Sequence, residues 1–278
     1  MKLPDFLVQL GKASPRNAKW VASLPITIRR LTDIWSLELG NPFIENVSCS
    51  FVAPCIYQQH IPAVLKIGLP HEEALHEGEG LQVLNGDPTV HLLAIDKKSK
   101  ALLLERCLPG SSLKTALPHI QDKIISQVLT GIWKTNYSQK TFRPLAEMVD
   151  LWNHETYEDL AKYPDQKLAL TGCRLKDHLI KTTKSSVLLA TDLHAGNVLK
   201  AQRKDWLAID LKPYWGDPAY DLTQHILNSL DRFAENPTSF LNHLALLSDV
   251  DSQRLKNWTF ARLATENEGR YQHLTKML

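Results

Sequence analysis

Asp192, His194 and Asn197 share a short loop between two apolar runs, Val187 to Ala190 and Val198-Leu199, and Asp210 closes a third run that begins at Trp206. A carboxylate in such a loop can take a proton from a hydroxyl. A nearby amide and a second carboxylate offer hard oxygens to a divalent cation. Asp192 and Asn197 stand five residues apart, and Asp210 ends the next apolar run. These are the parts that phosphoryl transfer needs: a base for the attacking hydroxyl, and oxygen ligands for Mg²⁺ against a triphosphate. A lone Asp-x-x-x-x-Asn is ordinary loop capping. The flanking apolar runs and the downstream carboxylate favour the chemical reading.

Lys66 supplies a complementary group. It sits inside the apolar run Ala63 to Ile67, and a lysine in a buried strand needs a counter-charge. The spacing predicts a helix over 71–84, which offers Glu72, Glu73, Glu77 and Glu79. Glu77 is the preferred partner, because Leu81 and Leu84 follow it at +4 and +7 and turn that face inward. Such a pair orients the α- and β-phosphates of a nucleotide. His71 and His76 flank Glu72 and Glu73. A zinc-protease helix needs histidines four apart, and these diverge, so no metal site is expected there.

Short β-rich runs separated by turns are expected through the first hundred residues, among them 51–53, 63–67, 90–95 and 101–104. Asn85-Gly86 ends the one helix in this part. Beyond Pro109-Gly110 the pattern turns helical, over 118–137, 144–162 and 165–183. A strand-and-loop segment, 187–217, interrupts it, and helices resume near Pro218. The expected class is α+β with two lobes. Residues 1–106 form a small β-rich nucleotide-binding lobe with one main helix. Residues 107–278 form a larger helical lobe for catalysis and acceptor binding.

Composition excludes several classes. Apolar residues make up 44% and charged residues 22%, as in a globular protein with a core. The net charge of +2 and the lack of a Lys/Arg block argue against nucleic acid. No uncharged apolar run is long enough for a membrane span. Cys49, Cys55, Cys107 and Cys173 are scattered, which suits neither a zinc site nor a disulfide framework. They read as free thiols in a reducing compartment, and Met1 to Gly11 lacks a signal-peptide core, so the cytoplasm is expected. Oligomeric state, monomer or homodimer, is left open.

Six segments together resemble a known family: Trp35 to Phe43, Val64 to Pro70, Glu73 to Leu84, Leu103 to Leu113, Ala190 to Leu199 and Trp206 to Leu222. The specific parts are ATDLHAGN and IDLKPYWGDPAYDL. They resemble the aminoglycoside and hydroxyurea resistance kinases, which include streptomycin 6-phosphotransferases, within the protein-kinase-like superfamily. The resemblance implies a bilobal protein-kinase-like fold, with ATP and Mg²⁺ as cofactors. It implies Asp192 as base, Asn197 and Asp210 as metal ligands, and Lys66 with Glu77 as the phosphate-orienting pair. Glu105 to Cys107 would be the interlobe hinge whose backbone meets adenine, and His194 would support the loop. Ser48 would hold phosphate in the turn Glu45 to Ser50, where the family pattern leads one to expect a glycine or two. Leu211 stands where close relatives have proline. Asp217 and Asp221 would brace the catalytic loop and border the acceptor pocket, although a helix cap is the simpler role for Asp221.

The implied acceptor is the hydroxyl of a small molecule, with a cationic streptomycin-type aminoglycoside as the leading candidate. A cation taken out of water needs inward carboxylates. Residues 144–161 hold Glu147, Asp150, Glu155, Glu158 and Asp159 with no Lys or Arg, and Trp152 between them can stack on a guanidinium. Glu266 and Glu268 form a second acidic pair. Other acceptors stay open: hydroxyurea, another sugar or amino-alcohol, a metabolite. A nucleotide-binding pseudokinase is the non-catalytic alternative, and it leaves the base unexplained. No D-F-G to A-P-E activation segment separates Asp210 from Asp221, which argues against a protein substrate.

Overall fold

The computed structural model describes residues 3–45, 47–71 and 75–278. The first departure from the sequence expectation is at the N-terminus, where two helices precede the β-rich runs. These are α1 (Asp5–Gly11) and α2 (Pro15–Ile34). Ser14 caps α2 by accepting from the Asn17 N–H at 3.1 Å, and Pro15 fills the first helical position. Leu24, Ile28 and Leu31 bury one narrow stripe. Pro25 lies inside the helix and breaks the pattern that would otherwise announce it.

Five strands follow: β1 (Leu37–Leu39), β2 (Ser50–Tyr57) and β3 (Ile61–Gly68), then helix α3 (Glu77–Leu84), then β4 (Leu92–Asp96) and β5 (Ala101–Glu105). They form one antiparallel sheet in the order β1-β2-β3-β5-β4. Helix α3 starts later than the spacing predicts, and Asn85, in the left-handed region, ends it. Glu72 and Glu73 lie outside the described residues.

Alternation along the strands divides the sheet between two cores. Ala63, Leu65 and Ile67 of β3 and Ala101 and Leu103 of β5 join Leu24, Ile28 and Leu31 of α2 on the outer face. Leu102 and Leu104 point the other way, into a second core with Leu81 and Leu84 of α3 and the helical half of the chain. Lys66 shares this inner face with Val64, so the pleat itself aims it at the second half of the molecule.

That half contains α4 (Pro118–Trp133), α5 (Leu145–Glu158) and α6 (Gln166–Lys181). Two antiparallel ribbons follow. β6 (Val187–Leu189) pairs with β9 (Tyr214–Gly216), and β7 (Val198–Lys200) pairs with β8 (Trp206–Ala208). Helices α7 (Pro218–Asp221), α8 (Thr223–Leu227), α9 (Leu230–Glu235), α10 (Pro237–Ser248) and α11 (Ser252–Thr265) complete it. The halves are tied by backbone: Val90 N–H donates to Ala208 O at 3.1 Å, and Ala208 N–H to Pro88 O at 3.0 Å. The class is α+β, a sheet lobe on a helical lobe. All four cysteines are unpaired, and among the described residues no helix is long and apolar enough to cross a membrane.

Because the two faces of β3 serve different ends, they should separate in mutation. Leu65 is fully buried in the outer core. Leu65→Ala is expected to cost about 2–5 kcal/mol in urea unfolding. Turnover well below the melting temperature should stay near wild type, since Lys66 keeps its own face.

Candidate functional site

The cleft is built around one buried cation. Lys66 Nζ lies 2.7 Å from both carboxylate oxygens of Glu77 and 2.5 Å from Oδ1 of Asp210. The Lys66 and Glu77 side chains are only 12% and 7% exposed. Burial works against the lysine's charge, but the Glu77 and Asp210 carboxylates outweigh it and raise its pKa. Asp210 is held below its usual range: burial would raise it, and Lys66 pulls it down. Helix α3 reaches this position because Gly80 packs on the loop after Asp210, where a Cβ would come within 2.5 Å of Pro213 Cγ. Asp210 itself adopts φ +56°, a left-handed turn that aspartate tolerates.

Asp192 faces this group from the loop after β6. Its Oδ2 lies 2.7 Å from Lys212 Nζ, and its Oδ1 accepts from Gln224 Nε2 at 2.7 Å. Asn197 donates its side-chain N–H to Asp192 O at 3.0 Å, so the amide nitrogen is committed inward. Its oxygen has no hydrogen-bond partner among the described residues. His194 Nδ1 accepts from Gly196 N–H at 3.0 Å, and burial lowers the pKa of the ring. A neutral ring keeps that nitrogen an acceptor, and this is how it holds the turn.

Asp221 clamps the same loop from below: of its two sequence readings, this is the brace of the loop and not the helix cap. It is fully buried and accepts from Ala190 N–H at 2.9 Å, Thr191 N–H at 2.7 Å and Trp133 Nε1–H at 3.0 Å. Thr191 sits at φ +53°, a conformation that the two backbone bonds hold in place. Burial pushes the Asp221 carboxyl up to about 6, against the pull of these three donors.

Asp217, not Asp221, is the cap. Its Oδ1 accepts from Ala219 N–H at 3.0 Å at the start of α7. Its Oδ2 takes Arg254 Nε at 2.5 Å and Trp258 Nε1 at 2.6 Å, and the residue is 2% exposed. Both oxygens of Asp217, a residue expected from the sequence at the acceptor, are thus engaged within the fold, and it does not line the cavity described next. Asp150 is exposed on α5 and does not line the cavity described next.

Trp152 and Glu155 do line a cavity of about 430 Å³, together with Asp159, Glu266 and Glu268. The two acidic segments, remote in sequence, thus converge. Cations balance part of this charge. Lys176, 2% exposed, lines the cavity with its pKa lowered by burial. Exposed Lys162 bridges Asp159 at 2.9 Å and Glu268 at 3.2 Å, and Arg262 holds Glu266 at 2.6 Å.

Glu105 ends β5. Its carboxylate accepts from His91 N–H at 3.0 Å and from Arg203 Nε and NH2 at 3.0 and 2.9 Å. Cys107, 8% exposed, follows two residues later in irregular backbone. Ser48 is exposed in the turn before β2, whose end is closed by the Leu69 N–H bond to Cys49 O at 2.8 Å. Asn46 of that turn lies outside the described residues.

Residues 40–269 match the aminoglycoside/hydroxyurea antibiotic resistance kinases. The chain belongs to this family. It is 30% identical over 274 residues to a streptomycin 6-kinase of Streptomyces griseus, covering 94% of this chain and 88% of that one. It is 28% identical over 261 residues to a hydroxyurea phosphotransferase of Kitasatospora aureofaciens, covering 92% and 76%. In fold it is similar to spectinomycin phosphotransferase APH(9)-Ia, solved with ADP and spectinomycin, at TM-score 0.56 and 14% identity over 90% of this chain and 92% of that one. As a member of this kinase family, the chain is a phosphotransferase acting on a small-molecule hydroxyl.

Three residues of the site escape the sequence reading: Lys212, Gln224 and Arg262. Lys212 carries a faint signal, a cation two positions after Asp210. Gln224 and Arg262 carry none, since their roles exist only through contacts across 32 and 38 residues.

The Asp221 clamp gives a direct test. Asp221→Asn turns an amide N–H toward groups that are themselves donors. Unfolding should cost roughly 2–4 kcal/mol less. Turnover should fall with it while ATP affinity holds, as measured by denaturant melts and calorimetric titration.

Proposed function

We propose that the chain transfers the γ-phosphoryl group of ATP, with Mg²⁺, to a hydroxyl of a guanidinium-bearing aminoglycoside of the streptomycin type. The observation that carries the acceptor is the convergence of Trp152, Glu155, Asp159, Glu266 and Glu268 on one cavity. The family supplies the reaction, and the streptomycin 6-kinase relative supports this choice of acceptor. In this reading Asp192 accepts the proton of the acceptor hydroxyl. The hydroxyl oxygen attacks the γ-phosphorus, the bond to the bridging oxygen breaks, and ADP leaves. Lys66, held by Glu77, sits against the α- and β-phosphates. Ser48 and the turn around it approach the phosphates, and the backbone of Glu105 to Cys107 meets the adenine.

Asn197 and Asp210 would hold the metal, since they offer hard oxygens and Asn197 turns its nitrogen away from the cleft. When bound, Mg²⁺ screens the negative charge of the phosphates. Lys212, on Asp192 in the free protein, is placed to exchange that carboxylate for a phosphoryl oxygen and so release the base. A ligand guanidinium can displace the exposed Lys162 from Asp159 and Glu268 at small cost. The unpaired cysteines, three of them buried, fit a reducing cytoplasm.

The test is ADP release with streptomycin-type, other aminoglycoside, hydroxyurea and amino-alcohol acceptors. Turnover is expected with the guanidinium-bearing compounds. In Glu155→Gln/Glu268→Gln, their KM should rise about tenfold while KM for ATP holds. Turnover only with neutral acceptors, or an unchanged KM in the double variant, would contradict this assignment.

A further inference from the structure

Arg262 lies between the acidic cavity and the base, and nothing in the reaction so far uses it. It is 5% exposed, with the rings of Trp152 and Tyr220 at 5.9 and 5.3 Å. Its Nε donates to Glu266 Oε1 at 2.7 Å, its NH1 to Thr223 Oγ1 at 2.9 Å, and its NH2 to Gln224 Oε1 at 3.0 Å. Gln224 then donates from Nε2 to Asp192 Oδ1 at 2.7 Å. The chain Glu266–Arg262–Gln224–Asp192 therefore runs unbroken from the cavity wall to the carboxylate.

The chemistry of the amide gives this chain a direction. Gln224 can present either its oxygen or its nitrogen to Asp192, and only the nitrogen is attractive to a carboxylate. A guanidinium has donors alone, so Arg262 can face only the oxygen end. Arg262 thereby fixes the amide so that its N–H meets Asp192. Without it, a flipped amide would set oxygen against oxygen and push the carboxylate off its line.

We infer that Gln224 and Arg262 are positioning residues for the base, anchored through Glu266 to the cavity that takes the acceptor. The inference rests on Asp192 as the base and deepens that reading. An acceptor cation that draws on Glu266 competes with Arg262 for the same carboxylate and leaves the guanidinium more committed to Gln224. Acceptor binding and base alignment are then linked through one side chain.

The experiment is a double-mutant cycle with Gln224→Leu and Arg262→Lys. It is read both on phosphoryl transfer to a guanidinium-bearing acceptor and on ATP hydrolysis by water. Gln224→Leu should lower kcat about tenfold to a hundredfold, with KM for ATP within about twofold of wild type. Arg262→Lys keeps a donor for the amide oxygen and should lose less. Because Arg262 acts through Gln224, the double variant should be no slower than Gln224→Leu alone. Losses that multiply, or a Gln224→Leu enzyme within about twofold of wild-type kcat, would overturn the inference. Thermal unfolding and ATP titration confirm that each variant folds, and Gln224→Met replaces any leucine variant that does not. Absence of transfer in wild type would indict the proposed acceptor, while the cycle on hydrolysis would still decide the positioning chain.

Discussion

A lysine removed from water must be matched by carboxylates, and Lys66 is where this molecule meets that demand. Its partners come from two distant places, Glu77 on α3 and Asp210 after β8. Satisfying one charge therefore fixes a helix against a sheet and the sheet lobe against the helical lobe. Breaking such a buried group by removing one partner leaves an uncompensated charge, which is far costlier than the pair's net worth.

The loop opposite is held by a different device. Asp221 spends a buried carboxylate on two backbone N–H groups and an indole, so that Thr191 can take a left-handed turn immediately before Asp192. Lys212 and Gln224 then occupy the two oxygens of Asp192. The residues proposed for the reaction sit on strand ends and short loops. In the proposed reading, acceptor recognition would fall to α5 and the turn after α11, which line one cavity. The Arg262 chain joins the two.

What was legible in the sequence was local. Lys66 inside an apolar strand, the Asp192–Asn197 loop and Asp210 at a strand end are each patterns of a few residues, and the strand alternation tells which face Lys66 takes. Helix α2 was hidden because Pro25 interrupts its stripe. For Asp221 the sequence left a cap and a brace of the catalytic loop both open, and only the fold reveals which backbone it reaches. Glu155 and Glu266 lie more than a hundred residues apart, so no spacing rule could bring them to one cavity, although each acidic segment was visible alone.

The central claim is that Asp192 takes the acceptor's proton. Asp192→Asn preserves size and the backbone contacts of the loop while removing the base. Steady-state turnover and calorimetric ATP affinity, measured side by side on this variant, test the claim most directly. kcat should fall by roughly a hundredfold to ten-thousandfold, with ATP affinity within a few-fold of wild type. Turnover close to wild type, with ATP still bound, would contradict it.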